Sequence, residues 1–326
     1  MKKISIIIVN YNSLNLVSEC LASFKKYTPK TNYELIIVNN DDNKERFRDF
    51  SQEYPNVRHV QNSGNWGFSS GCNLGAEIAT GDFLLFLNPD TQLNETPAID
   101  TMLSLMEEDE NIGICGCRTV TARGIGNEIS WANPWLLIRW IRLIHHTLNY
   151  NKLRVRFAEN KDIWYPEFVG GSCLMIKTSD FKKINGWSSD RFWMYGEDSD
   201  ICYKMTKKLG KVVALIRNCS IDHVGGGASK IDSESTLRLK IEMVISTHNY
   251  IVKNANGISK IIILSMYILK STLPPFLKLL LSLLFFSKKN IKKYSFNFFS
   301  IIRYYADSLK RKTWKSNKLK PNIQQN

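Results

Sequence analysis

The sequence predicts an α/β fold, a doubly wound and mostly parallel sheet flanked by helices, on three observations. Short, predominantly apolar runs at Ile4 to Val9, Tyr33 to Val38 and Phe83 to Leu87 fit strands covered on both faces. Segments with apolar residues at helical spacing, such as Leu14, Val17, Leu21 and Phe24, lie between them. Strand–helix–strand repetition then requires right-handed crossovers within one sheet.

The elements follow in order. After the first strand, Asn10-Tyr11-Asn12-Ser13 is a polar turn, with Ser13 placed to cap a helix. The second strand ends in Asn39-Asn40-Asp41-Asp42, and a charged helix over Lys44 to Tyr54 leads to a short strand near Val57 to Val60. The loop Asn62 to Gly75 carries four glycines before a helix over about 70–79. Such a loop allows close backbone approach to a ligand, and the helix N-terminus behind it favours an anion such as a diphosphate. It equally fits a turn that serves close packing alone. Neither G-x-G-x-x-G nor a Walker loop is present.

Phe83 to Leu87 then delivers Asp90 to a strand end, because Pro89 has no N–H with which to continue the ladder. Ligands of open α/β sheets sit beyond the carboxyl ends of the strands, so Asp90 is a candidate metal or phosphate residue. A helix over 97–109 and a strand over 112–117 follow. Residues 121–165 are irregular and mix Trp131, Trp135, Trp140 and Trp164 with arginines. They fit an acceptor groove, a membrane-facing surface, or ordinary packing with solvated arginines.

A strand over 169–176 and a short helix from Ser179 precede Gly196-Glu197-Asp198-Ser199-Asp200. Three carboxylates in four residues repel one another unless each has a partner or a task. At the start of a helix over 199–209, Asp200 reads as part of an acidic N-terminus. Asp198, beside aromatics that would desolvate it, is the better general-base candidate. A strand over 211–216 leads to His223 and a glycine run. That His is structural unless its neighbour in space is Asp90.

Beyond Ser229 the expectation is helical. A long helix over 234–253 precedes two apolar stretches, 261–269 and 276–286, interrupted by Pro274-Pro275. Each is shorter than the ~20 residues of a membrane span. A helical hairpin in the membrane interface, with Lys288, Lys289, Lys292 and Lys293 on anionic headgroups, is preferred to a buried helical pair. Residues 311–326 read as a disordered basic tail.

Composition bounds these readings. The chain has 326 residues, 44% of them hydrophobic, and a formal charge of +14 that favours an acidic partner. Its basic residues sit beside apolar segments and not along a polar stripe, which argues against nucleic acid. Seven scattered cysteines without a C-x-x-C pair indicate neither a disulfide framework nor a zinc site, and a reducing, cytoplasmic setting is expected. The six-residue apolar run at the N-terminus is too short for a signal peptide.

Five stretches together resemble the inverting glycosyltransferase family 2, with its GT-A fold, and most closely its rhamnosyltransferase-like branch. They are Ser5 to Asn12, Asn65 to Gly75, Leu87-Asn88-Pro89-Asp90, Phe192 to Asp200, and His223 with Ser229. The resemblance covers about residues 3 to 230, so a catalytic domain over 1–230, a helical membrane-interface region over 231–310 and the tail over 311–326 are expected. It implies a nucleotide-sugar donor, dTDP- or UDP-linked, held by Asn10, Asn12, Asn39, Asp41, Asn65, Gly67, Phe68, Gly71, Asn73, Asn88 and Asp90. Magnesium or manganese would sit on Asp90 and His223, with Asn88 in place of the family's first D-x-D aspartate. Asp198 would be the base, with Glu197 orienting it or helping to bind the acceptor. Asn39 stands where the family commonly has the Asp that accepts from the pyrimidine N3–H; an Asn oxygen can still accept that bond, and Asp41 or Asp42 is an alternative. The acceptor implied is a polyprenyl-diphosphate-linked saccharide at the inner face of the cell membrane. The competing reading is a GT-A-fold protein that binds nucleotide sugar or glycan without turnover.

Overall fold

The computed structural model describes residues 3–121, 124–125, 162–223 and 233–320. The tryptophan- and arginine-rich stretch before Asp162 and the glycine run with Ser229 lie outside the described residues. The rest divides into two units, one holding the described residues up to 189 with 197–223, the other holding 190–196 and 233–320.

The first unit is built on one mixed sheet. β1 (Lys3–Asn10), β2 (Asn32–Asn39), β3 (Arg58–Gln61) and β4 (Phe83–Leu87) run parallel in the order β3-β2-β1-β4. The order continues through β9 (Cys173–Lys177), β6 (Ile112–Thr121), β10 (Val212–His223) and β5 (Thr91–Gln92). β9 is antiparallel to both β4 and β6, and β5 is antiparallel to β10, so the sheet is less uniformly parallel than the alternating pattern predicts. Short strands β7 (Gly124–Ile125) and β8 (Ile163–Trp164) pair with β6 and β10. Periodicity could not reveal the reversal, because a buried antiparallel strand reads as the same apolar run.

Alternation along each strand splits the core. Ile4, Ile6 and Ile8 join one face, where α1 (Leu14–Lys26), α2 (Lys44–Glu53) and α4 (Ala98–Glu108) pack. Ile7, Val9, Leu84 and Phe86 join the other, against α3 (Phe68–Ile78), α5 (Thr178–Lys183) and α6 (Glu197–Leu209). All five residues of β4 are buried, as a strand covered on both sides requires. Helix α6 starts two residues earlier than the apolar pattern indicates and so takes Glu197 and Asp198 into its first turn.

The second unit consists of α7 (Ser233–Asn254), α8 (Gly257–Leu284), α9 (Lys288–Arg311) and the segments that pack on them. Helix α8 runs unbroken through Pro274 and Pro275, where two separate segments were expected. Residues 312–320, part of the stretch expected as a basic tail, make defined contacts within the second unit. Trp314 stacks on the buried His248 ring at 5.2 Å, Tyr304 donates to the Trp314 carbonyl, and Lys318 pairs with Glu242 at 3.0 Å. An aromatic among the basic residues supplies the apolar area that holds this segment.

Candidate active site

Parallel strands ending in register bring their polar ends to one edge. Asn10 pairs with Asn39, and Asn39 with Gln61, at the carboxyl ends of β1, β2 and β3. The buried Asn39 amide is fully used: its oxygen accepts from Asn10 Nδ2 at 2.6 Å and from the Asp41 amide at 3.3 Å. Its nitrogen donates to the Asp41 carbonyl and to Gln61 Oε1. Asn10 Oδ1 in turn accepts from the Ser13 amide and hydroxyl, which shapes the β1–α1 turn. The side chains of Asn10 and Asn39 thus fix the strand ends and leave no acceptor for a base, whereas the half-buried Asp41 carboxylate accepts only from the Asn43 amide among the described residues. Asn12 is exposed and left-handed at φ 54°, a conformation Asn tolerates.

The contacts of the glycine loop are those of a turn and of close packing. Gly67 has φ 88° and accepts from Asn40 Nδ2, so it makes the turn into α3, and Asn65 Oδ1 accepts from its amide. Gly71 faces the sheet, where a Cβ would lie 2.7 Å from Val9 Cγ1. Its lack of a side chain lets α3 approach β1 and does not open the loop to a ligand. Asn73 grips the loop before α6 as well: its amide donates to the Trp187 carbonyl and accepts from the Trp187 amide, both at 2.9 Å.

Asn88 and Asp90 follow β4 directly. The Asn88 amide donates to the Ser172 carbonyl and its carbonyl accepts from Thr91, while its half-buried side chain has no hydrogen-bond partner among the described residues. Strand β5 then pairs Thr91 with His223 at the end of β10. That pairing brings His223 Nε2 to 3.2 Å from Asp90 Oδ1, although the two residues are 133 positions apart. Asp90 is 7% exposed. Among the described residues no group of three His, Cys, Asp or Glu side chains gathers to hold a metal. Asp90 supplies the single carboxylate that an ion shared with substrate phosphates can use, and the His223 imidazole beside it suits a transition ion better than magnesium.

The acidic stretch resolves into different roles. Asp200 is fully buried and accepts from Ser188 Oγ at 2.7 Å. Glu197 is buried near Cys72 of α3, whose thiol is pushed up by burial and further by the Glu197 charge. Asp198 lies beside Gly171, where a Cβ would come 3.4 Å from the Phe68 ring, and Phe68 in turn packs edge-on against Trp187. Burial pushes the Asp198 carboxyl above the usual carboxylate range, against the amides of Ser199 and Gly171, which stabilise its charge. Gly171 and Ser172 were not singled out in the sequence, yet they join Asp198 to the Asn88 loop. Gly170-Gly171-Ser172 ahead of a buried strand was the available signal.

The mixed α/β sheet with helices on both faces and polar residues at its strand ends has the architecture of the GT-A fold. The chain belongs to glycosyl transferase family 2, whose sequence profile matches residues 5–180. A second profile, described as the N-terminal domain of galactosyltransferase, matches residues 151–223. The chain is 26% identical over 228 residues to the low-salt glycan biosynthesis hexosyltransferase Agl10 of Haloferax volcanii, covering 67% of this chain and 68% of that one. It is 22% identical to the rhamnosyltransferase WbbL of Escherichia coli, over 62% of this chain and 76% of that one. The crystal structure of GalNAc-T7 with UDP, GalNAc and Mn2+ superposes with a TM-score of 0.54 at 14% identity. That match spans 69% of this chain and 43% of the other, and speaks to the fold.

Proposed function

We propose that the chain moves a sugar, rhamnose first among the donors to try, with inversion from a dTDP- or UDP-sugar to a saccharide acceptor. The acceptor proposed is carried on polyprenyl diphosphate at the inner face of the membrane, in bacterial surface-polysaccharide synthesis such as O-antigen. The observation that carries the reading is the convergence of Asp90 with His223 at the strand ends, joined through Asn88, Ser172 and Gly171 to Asp198.

Asp90 and His223 would hold a divalent ion, magnesium or manganese, with Asn88 available beside them. When bound, the ion would neutralise the departing nucleoside diphosphate. Asp198, with its raised pKa, would take the acceptor hydroxyl's proton as the oxygen attacks the anomeric carbon in line, and Glu197 would orient that carboxylate. Asn10 and Asn39 would act by holding the strand ends, leaving Asp41 to accept from the pyrimidine. Asn12, Asn65, Gly67 and Phe68 would line the donor side, while Gly71 and Asn73 would support it through packing.

Metal titration tests the assignment at Asp90. Asp90→Ala should abolish metal-stimulated release of nucleoside diphosphate, and Asn88→Ala should impair it less. Metal-stimulated turnover of Asp90→Ala at the parent rate would refute the placement, and equal loss in both variants would make Asn88 a direct ligand.

A further inference from the structure

We propose that α8 is a monotopic membrane anchor that lies in the plane of an anionic bilayer without crossing it. The proposal deepens the membrane-side reading above and rests on it for its purpose, but the surface is argued from the second unit alone. Helix α8 has 28 residues and so extends about 42 Å, and by length and composition alone it could cross a bilayer. The placement of its side chains argues otherwise. Projected at 100° per residue, the exposed Ile258, Ile262, Leu269, Leu273, Leu280 and Leu284 fall within a stripe about 80° wide, and further exposed apolar residues flank it. The stripe runs the full length of the helix. The few buried side chains, Ile263, Leu279 and Ser282, lie off it.

A soluble surface does not carry so long an apolar stripe without an occupant. Charge identifies the occupant. Lys260, Lys270 and Lys278 also lie off the stripe, where a helix resting in the interface keeps its ammonium groups at headgroup level. A crossing helix would instead carry Lys270 to mid-bilayer at a cost of several kcal/mol. Phe285 and Phe286 follow α8, 79% and 87% exposed, and the exposed Lys288, Lys289, Lys292 and Lys293 open α9 directly after them. Apolar side chains to insert and ammonium groups to meet phosphate are thus side by side at the α8–α9 turn.

Co-sedimentation of the purified full-length chain with vesicles, without donor or acceptor, tests the proposal. Binding to phosphatidylcholine vesicles containing roughly 30 mol% phosphatidylglycerol should exceed binding to phosphatidylcholine alone by more than about tenfold. Leu269→Glu with Leu273→Glu should remove binding while leaving the melting temperature and turnover of a water-soluble acceptor at parent values. Replacing the four lysines of α9 by Glu should remove the preference for anionic lipid. Orientation is read by single cysteines at Lys260→Cys and Lys278→Cys, near the two ends of α8 and on the face opposite the stripe, because the seven native cysteines are buried. Both should react with an impermeant maleimide added outside the vesicles. Protection of one end would show a crossing helix and overturn the in-plane reading. Undiminished binding by the stripe variant, or a stripe that instead buries itself in a second copy with no vesicle binding, would overturn the anchor itself. Normal vesicle binding by a chain that turns over no sugar would support the anchor and count against the transferase reading alone.

Discussion

At the residue scale, Asp198 combines a desolvated carboxyl with a place in the first turn of α6. As a base it must be ionised, so kcat/KM should fall as pH drops through its pKa, with the acidic limb above the usual carboxylate range. Its raised pKa also means that the folded chain binds this proton more tightly than the unfolded chain. Stability from this group is therefore present at low pH and lost as pH rises through the folded pKa. Asp198→Asn should accordingly melt at or above the parent temperature at pH 7 while losing about 10²–10⁴-fold in turnover. Glu34 shows the opposite sign. Burial alone would raise its pKa, but hydrogen bonds from Ser5, Thr80 and Arg58 outweigh that and hold it at about 2. Its contribution is present at neutral pH and lost as pH falls from about 4.5 toward 2. A pH series of melting temperatures should show the parent losing its advantage over Glu34→Gln across that window. A constant gap would remove the assignment.

At the scale of elements, α3 and α8 show what sequence reading delivers and what it misses. Gly71 and Gly75 are one turn apart on α3 and both face the sheet, where a Cβ at Gly75 would come 2.5 Å from Ile7 Cγ2 and 3.1 Å from Val38 Cγ2. Gly75→Ala should therefore cost about 1–3 kcal/mol through overpacking, measured by denaturant unfolding. An unchanged midpoint would mean that α3 can shift outward freely. Strands β1, β2 and β4 and the carboxylate at the end of β4 were legible because burial on both faces leaves an unmistakable apolar run. The direction of β9 and the unbroken course of α8 were not. The first depends on pairing partners far away in sequence. The second depends on tertiary support that outweighs the local proline penalty, with Ser271 bonded to Tyr305 at 2.6 Å and Phe276 against Phe298. Similarly, the Asp90–His223 contact needed β5, a two-residue strand too short to leave a pattern.

At the scale of the molecule, the chain joins a sugar-transfer unit, with its polar edge at the strand ends, to a helical unit with an exposed apolar stripe and most of the basic flank. In that second unit lysines stand beside the stripe, where the proposed anchor would use them on anionic lipid. The segment 190–196, immediately before Glu197 and Asp198 in the chain, is held by α7. Ser246 donates to the Met194 carbonyl at 2.7 Å, and Asn249 donates to the Arg191 carbonyl at 2.9 Å. Sugar transfer with Asp198 as the base is the chemistry proposed for this chain. It is tested most directly by measuring nucleoside diphosphate release from a panel of dTDP- and UDP-sugars with magnesium, with and without a lipid-diphosphate saccharide acceptor. The account predicts acceptor-dependent release from one donor that falls by about 10²-fold or more in Asp198→Asn. Full acceptor-dependent turnover by Asp198→Asn, or binding of donor with no release across the acceptors, would contradict it.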